Sequence, residues 1–290
     1  MLGPNQYGKA ETRLVLVRRG GPEHSLVDLN VSVALAGDLA DTHLTGDNAK
    51  VLPTDTQRNT VYAFAREHGI STVEDFGLLL ARHFVSSAPS VSQARVSIDS
   101  YGWDRLGPHS FARTGAGVRT AVVTASGSDT WVVSGVRDLV LLNTTDSEFH
   151  GFIRDRYTTL AETSDRILAT AVDASWRHSV DGEDWDARYE AARSALIGAF
   201  VDTYSLSLQQ TLYAMGSAVL QAVPSIVEVR LSLPNRHHFL LDLAPFGLDN
   251  PGEVFFAADR PYGLIEGAVL RDDAPAAGLA WSLHPYDGDR

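Results

Sequence analysis

The hydrophobic pattern of this chain switches between period two and a helical period, and the order of the switches constrains its fold most. Leu14, Val15, Leu16 and Val17 form an apolar run within 12–18, closed by Arg18-Arg19-Gly20-Gly21-Pro22, which reads as a strand and a turn. Leu29, Val31, Val33 and Leu35 then alternate with Asn30, Ser32 and Ala34, as in a half-buried strand. Thr54-Asp55-Thr56 precedes Val61, Tyr62, Ala65 and His68, a helical spacing with an N-cap signal in front. Ser71-Thr72-Val73-Glu74 reads as a capping box opening a second helix, with Phe76, Leu79, Leu80, His83 and Phe84 on its apolar face. Strands return at 91–100, 119–125 and 131–134. The second half repeats this order, with strands at 139–143 and 166–172, helices at 185–204 and 208–223, and strands at 226–233 and 254–257.

The helices thus arrive in pairs, not singly between strands. That order predicts an α+β fold of antiparallel sheets with helix pairs on one face, and it argues against a parallel, doubly wound sheet. With 290 residues, about two domains are expected, 1–137 and 138–290.

Charge and composition narrow the function. Asp and Glu outnumber Lys and Arg by 36 to 24, a net charge of -12, which disfavours nucleic acid and anionic membranes as partners. The chain has no cysteine, so a thiolate nucleophile, a disulfide and a cysteine-held metal or cluster are excluded. It has only two methionines, which suits work beside an oxidant but equally reflects chance composition. No 18-residue apolar stretch, no basic-apolar leader and no terminal Ser-Lys-Leu is present, so the expected compartment is the cytoplasm. Gly-rich phosphate loops, H-E-x-x-H and G-x-S-x-G are all missing. His237 and His238 are adjacent, and on a strand they face opposite ways, so they do not chelate one metal together. Scattered His, Asp and Glu leave a metal site open as an alternative.

Several segments carry polar residues that the fold does not obviously need. Lys9 follows Asn5-Gln6-Tyr7-Gly8 at a loop–strand junction, either as a solvated lysine or as a titratable group. The 54–60 segment is either a plain helix start or a place where first-turn amides and a Thr hydroxyl meet an electron-rich ligand. The long polar connection 144–168 carries Phe149 and Phe152, as core anchors or as a stacking platform. In it, Arg166 either pairs with Asp165 or another acid, or stays available. Ser207-Leu208-Gln209-Gln210-Thr211 and Leu233-Pro234-Asn235-Arg236-His237-His238 add amides and a histidine.

These segments together resemble the urate oxidase (uricase) family. The resemblance rests on Y-G-K at 7–9, G-D-N at 46–48, T-D-T-Q-R-N-T-V-Y at 54–62 and F-H-G-F at 149–152. It continues through R-Y-T-T-L at 156–160, D-R-I-L-A-T at 165–170, S-L-Q-Q-T-L-Y at 207–213, L-P-N-R-H-H-F at 233–239 and D-R-P-Y-G-L-I-E-G at 259–267. Arg58 and Arg236 stand where the family usually has Lys, Leu208 where Val also occurs, and Ala161 where a polar residue is usual.

The resemblance implies tandem T-fold (tunnelling fold) modules whose barrel is completed in a homotetramer. It also implies cofactor-independent, metal-free oxidation of urate by dioxygen. Phe149 would stack on the ring, Arg166 would grip it with its fork, and Gln209 with the Leu208 amide would bind another edge. Thr54 and the Asp55 amide would close the site from a neighbouring subunit, and Asn235 would face the ring where dioxygen binds. Lys9, Thr54 and His237 would relay protons. A non-catalytic T-fold protein that binds a purine or pterin is the alternative.

Overall fold

The computed structural model describes residues 1–179, 184–258 and 260–282. Asp259 and the terminal Tyr286-Asp287-Gly288-Asp289-Arg290 lie outside the described residues. Two compact units are present. The first comprises Met1–Gly135 with the described residues of Ser175–Tyr189 and Asp273–Arg290, and the second comprises Val136–Ala174 and Glu190–Asp272.

The first unit opens with β1 (Tyr7–Arg18) and β2 (Ser25–Gly37), then a short α1 (Ala40–Leu44) and the pair α2 (Thr54–Glu67) and α3 (Val73–Ser87). β3 (Val91–Ser100) follows, then a small hairpin of β4 (Trp103–Arg105) and β5 (Phe111–Arg113), β6 (Val118–Ser126) and β7 (Asp129–Asn143). β1, β2, β3 and β6 pair in that order, all antiparallel. Their register explains the core. Val31 lies opposite Ile98 and Ile98 opposite Ala121, while Val33, Val96 and Val123 form the next row. These residues are buried, whereas Ser32 and Ser97, one step along, are not. One face is apolar because the alternation is in phase across the strands, and a one-residue slip would turn it outward. α3 covers that face with Phe76, Leu80 and Phe84. Gly77 lets the helix approach, since a Cβ there would come within 2.7 Å of Val123 Cγ2.

The second unit repeats the plan. The end of β7 and the first part of β8 (Leu168–His178), then α4 (Trp185–Asp202) from Glu190 on, lead to α5 (Leu208–Ala222) and β9 (Ile226–Asn235), the end of β8 and the start of α4 belonging to the first unit. A small hairpin of β10 (His238–Leu240) and β11 (Phe255–Ala257) flanks a 3₁₀ turn (Ala244–Phe246) and precedes β12 (Gly263–Leu270). β9 and β12 pair antiparallel, and α5 lies on them. Gly216 of α5 does what Gly77 does in α3, because a Cβ there would lie 2.5 Å from Val269 Cγ2. A second repeated feature is a residue at positive φ in the first strand of each set. The amide of Glu11 (φ 56°) donates to Ser32 Oγ at 3.0 Å, and that of Asp138 (φ 56°) to Asp173 Oδ1 at 2.8 Å. Among the described residues no helix is long and apolar enough to cross a membrane.

Several expectations need correcting. The runs at 131–134 and 139–143 are one strand, β7, whose alternation is broken around Asp138, which sits at φ 56°. The cap of α3 is Thr72, whose hydroxyl accepts from Asp75 N at 3.1 Å, so the box lies one residue later than Ser71–Glu74. Glu74 is instead fully buried, and Leu79 and His83 are only partly covered. β12 was not anticipated at all.

Glu74 heads a buried polar chain in the first unit. Arg119 Nη2 donates to Glu74 Oε2 at 2.7 Å, Ser134 Oγ donates to Glu74 Oε1 at 2.7 Å, and His178 Nε2 lies 3.1 Å from Ser134 Oγ. With the serine hydrogen spent on the carboxylate, His178 Nε2 must carry the proton. Burial first, and the Arg188 charge second, pull the His178 pKa down to about 3. The folded value lies below the unfolded 6.5, so the unfolded chain binds the extra proton. His178 therefore contributes stability above pH 6.5 that is lost progressively as pH falls toward 3, at about 1.4 kcal/mol per unit. His178→Gln is expected to lose less stability than the parent between pH 6 and pH 4, by urea titration. Equal losses in the two proteins would contradict a buried neutral histidine.

Candidate active site

Lys9, Thr54 and Asp55 belong to the first unit, and Phe149, Arg166, Leu208, Gln209, Asn235 and His237 to the second.

In the first unit Lys9 is half-buried on β1, opposite Val33, just before the irregularity at Glu11. Tyr7 lies on the same strand face, and its phenol oxygen accepts the Leu52 amide at 2.9 Å. The Leu52 carbonyl accepts from Gln57 Nε2 at 3.3 Å, and Gln57 is fully buried. Leu52 is thus held on both sides, which ties the start of α2 to the strand that carries Lys9. The helix begins at Thr54 itself. Its N-cap is Pro53, with no side-chain cap, so Thr54-Asp55-Thr56 forms the first turn rather than the cap. The reason is local: Pro53 has no side-chain oxygen to accept a first-turn amide, and the Asp55 carboxylate is taken by Arg58 at 2.6 Å and Asn59 at 3.1 Å. First-turn amides, that of Asp55 among them, have no intrahelical acceptor and no capping side chain here. Among the described residues no hydrogen bond joins Lys9 to Thr54.

In the second unit the long connection is folded onto the start of α5. Ser147 forms a parallel bridge with Ser205, and Phe149 an antiparallel bridge with Thr163. Phe149 is half-buried and stacks on Phe152, with ring centroids 5.1 Å apart and planes 14° apart. The two rings anchor each other outside the main core. The Arg166 guanidinium carbon lies 5.2 Å from the Phe149 centroid, and its Nε donates to Ser147 Oγ at 3.2 Å. Asp165 accepts instead from Thr145 Oγ1 at 3.0 Å, and among the described residues no carboxylate pairs with Arg166. Burial lowers the Arg166 pKa, yet a guanidinium keeps its charge at neutral pH. Its terminal nitrogens are an unspent fork for a planar, electron-rich partner.

Ser207 caps α5, accepting from Gln210 N at 3.2 Å, while Gln210 Oε1 takes the Leu206 amide at 2.7 Å. Gln210 is therefore spent on the cap. Gln209 is exposed and Leu208, the first helical residue, is buried. Asn235 ends β9 opposite Gly263. The next amide, Arg236 N, donates to Ala169 O at 2.8 Å, fixing the exit toward His237. Burial, then the Arg166 charge, then His238 lower the His237 pKa. These effects favour the neutral ring, and one of them is the Arg166 charge. Sequence reasoning missed Tyr7, Ser147 and Ser205 as supports for these residues. Only the family motif around Tyr7 gave a signal for any of them.

Known proteins match this arrangement along its length. The uricase family model matches residues 5–124 and 132–266. A uricase of Arthrobacter globiformis is 52% identical over 284 residues, 97% of this chain and 94% of that protein. A uricase of Dictyostelium discoideum is 37% identical over 276 residues, covering 92% and 96%. The crystal structure of the Arthrobacter globiformis uricase superposes with a TM-score of 0.94 over 97% of this chain and 99% of that one.

Proposed function

The chain belongs to the uricase family, and on that premise we propose that it oxidises urate with dioxygen and water to 5-hydroxyisourate and hydrogen peroxide. The observation that supports this best is the Arg166 guanidinium beside the Phe149 ring, held by its Nε on Ser147 and, among the described residues, with no hydrogen bond from its terminal nitrogens. Urate is flat, anionic and lined with donors and acceptors. Phe149 offers its face, and the Arg166 fork offers two parallel donors to a ring nitrogen and carbonyl oxygen. Gln209 and the Leu208 amide serve another edge.

Lys9, Thr54 and His237 are read as a relay in which the Thr hydroxyl passes protons between two titratable groups. Asn235 is read as the residue facing the ring where dioxygen approaches. The deprotonated ring is itself electron-rich and can give an electron to dioxygen, so the protein's part is to bind the anion, take its proton and hold the oxidant near. Two T-fold modules, 1–137 and 138–290, form half a barrel in this reading. A homotetramer in the cytoplasm closes the barrel, and Thr54 and Asp55 of one subunit complete the site of the next. A non-catalytic purine or pterin binder has no need of the relay, and the presence of Lys9, Thr54 and His237 together favours the oxidase.

Since no chelating group is required, activity is expected to survive dialysis against a strong chelator. Loss of urate oxidation that copper or iron restores would overturn metal independence. The direct test of function is urate consumption under air, followed in the near ultraviolet.

A further inference from the structure

Beneath the ring-binding residues of the second unit lies a run of hydroxyls that the chemistry does not use. Ser147, Ser205 and Thr211 are all fully buried. Thr211 Oγ1 donates to Ser205 Oγ at 2.8 Å, and Ser205 Oγ donates to the carbonyl of Ser207, the α5 cap, at 3.1 Å. Backbone bonds close the other side, from Glu148 N to Ser205 O at 2.8 Å and from Ser205 N to Asp146 O at 2.9 Å. Ser147 Oγ then accepts from Arg166 Nε at 3.2 Å. The path from the Arg166 guanidinium to the first turn of α5 thus runs through the Ser147 hydroxyl, then the backbone bridge of 146–148 with Ser205, then the Ser205 and Thr211 hydroxyls.

Buried hydroxyls add little net stability, and an apolar core of equal shape does as well. What they add is position, because each bond has a direction. Arg166 sits just before β8 on a long polar connection, a poor scaffold by itself. The start of α5 is regular helix, and the hydroxyls at the two ends of the backbone bridge tie the guanidinium to it. We propose that Ser147, Ser205 and Thr211 are positioning residues that set the span between the Arg166 fork and the Leu208 amide with Gln209. A fixed span fits one ring geometry without reorganisation on binding. This rests on the reading that Arg166 and Gln209 grip urate.

The test is urate titration without dioxygen, together with turnover under air and thermal midpoints, for Ser147→Ala, Thr211→Val, Thr211→Ser and Arg166→Ala. The expected result for Ser147→Ala and Thr211→Val is a rise in urate Kd of about three- to tenfold, the worth of one hydrogen bond. Turnover at saturation should fall less than affinity does. Thr211→Ser keeps the hydroxyl and should restore the parent Kd. If folded Ser147→Ala and Thr211→Val lower only the thermal midpoint and leave Kd unchanged while Arg166→Ala weakens binding, the hydroxyls are structural and the proposal is lost. If Arg166→Ala also leaves Kd unchanged, the grip itself is misread and both fall. Should Ser147→Ala fail to fold, the Thr211→Val and Thr211→Ser pair decides.

Discussion

Lys9→Met is expected to cut urate turnover by roughly 10²–10⁴ while changing urate affinity little. The substitution keeps an unbranched chain on β1 and removes only the amine. Phe149, Arg166 and Gln209 belong to the other unit, and in the proposed site they still hold the ring. The fall is the amount typical of losing a general base, because the ring must lose its proton before it can give up an electron. Thr54→Ala should act in the same way, since in the proposed relay the hydroxyl carries the proton between the titratable groups. The double variant should then be far less than multiplicative, because the residues work as one unit. Steady-state kinetics with urate binding measured separately decides the matter. If Lys9→Met weakens binding and spares turnover, the amine serves electrostatics and the relay reading is wrong.

Arg166→Ala is expected to behave in the opposite way. In the proposed site it removes a charge and a two-pronged contact from the ring, so urate binding should weaken by about 2–5 kcal/mol, the range for breaking a buried charge pair. Its loss should also reveal where sites are formed. Thr54 and Arg166 belong to different units, and in the proposed assembly they meet across subunits. The edge strands β1 and β12 carry exposed apolar residues, among them Val15, Val17, Leu264 and Leu270, which the proposed assembly would cover. Thr54→Ala and Arg166→Ala chains, each inactive alone, should regain part of the activity when refolded together, because a mixed interface holds one intact site. No recovery in a mixture that demonstrably co-assembles would count against shared sites.

How far the sequence led depended on whether a residue's role was local. The helix pairs and most strands were legible because α3 and β2 carry their periodicity in their own residues. β12 was not, since it is largely exposed and carries Gly263 and Gly267, which blur its alternation. β7 reads as two strands because its alternation breaks around Asp138, at positive φ. Glu74 read as a capping residue, yet its carboxylate is claimed by Arg119 and Ser134, partners distant in sequence. The same holds at the site. Whether Arg166 pairs with a neighbouring acid was undecidable locally, and the fold answers by giving it Ser147, 19 residues away. Ser147 itself looks like any loop serine until the connection folds back on Ser205.

The central claim, catalysis rather than mere purine binding, is tested most directly by following urate absorbance in the near ultraviolet with the intact protein, under air and under nitrogen. Under air the absorbance is predicted to decay with turnover, with one dioxygen consumed and one hydrogen peroxide released per urate, and under nitrogen it should persist. Urate that binds with a spectral shift yet stays intact under air would contradict the account and leave a purine-binding protein in its place.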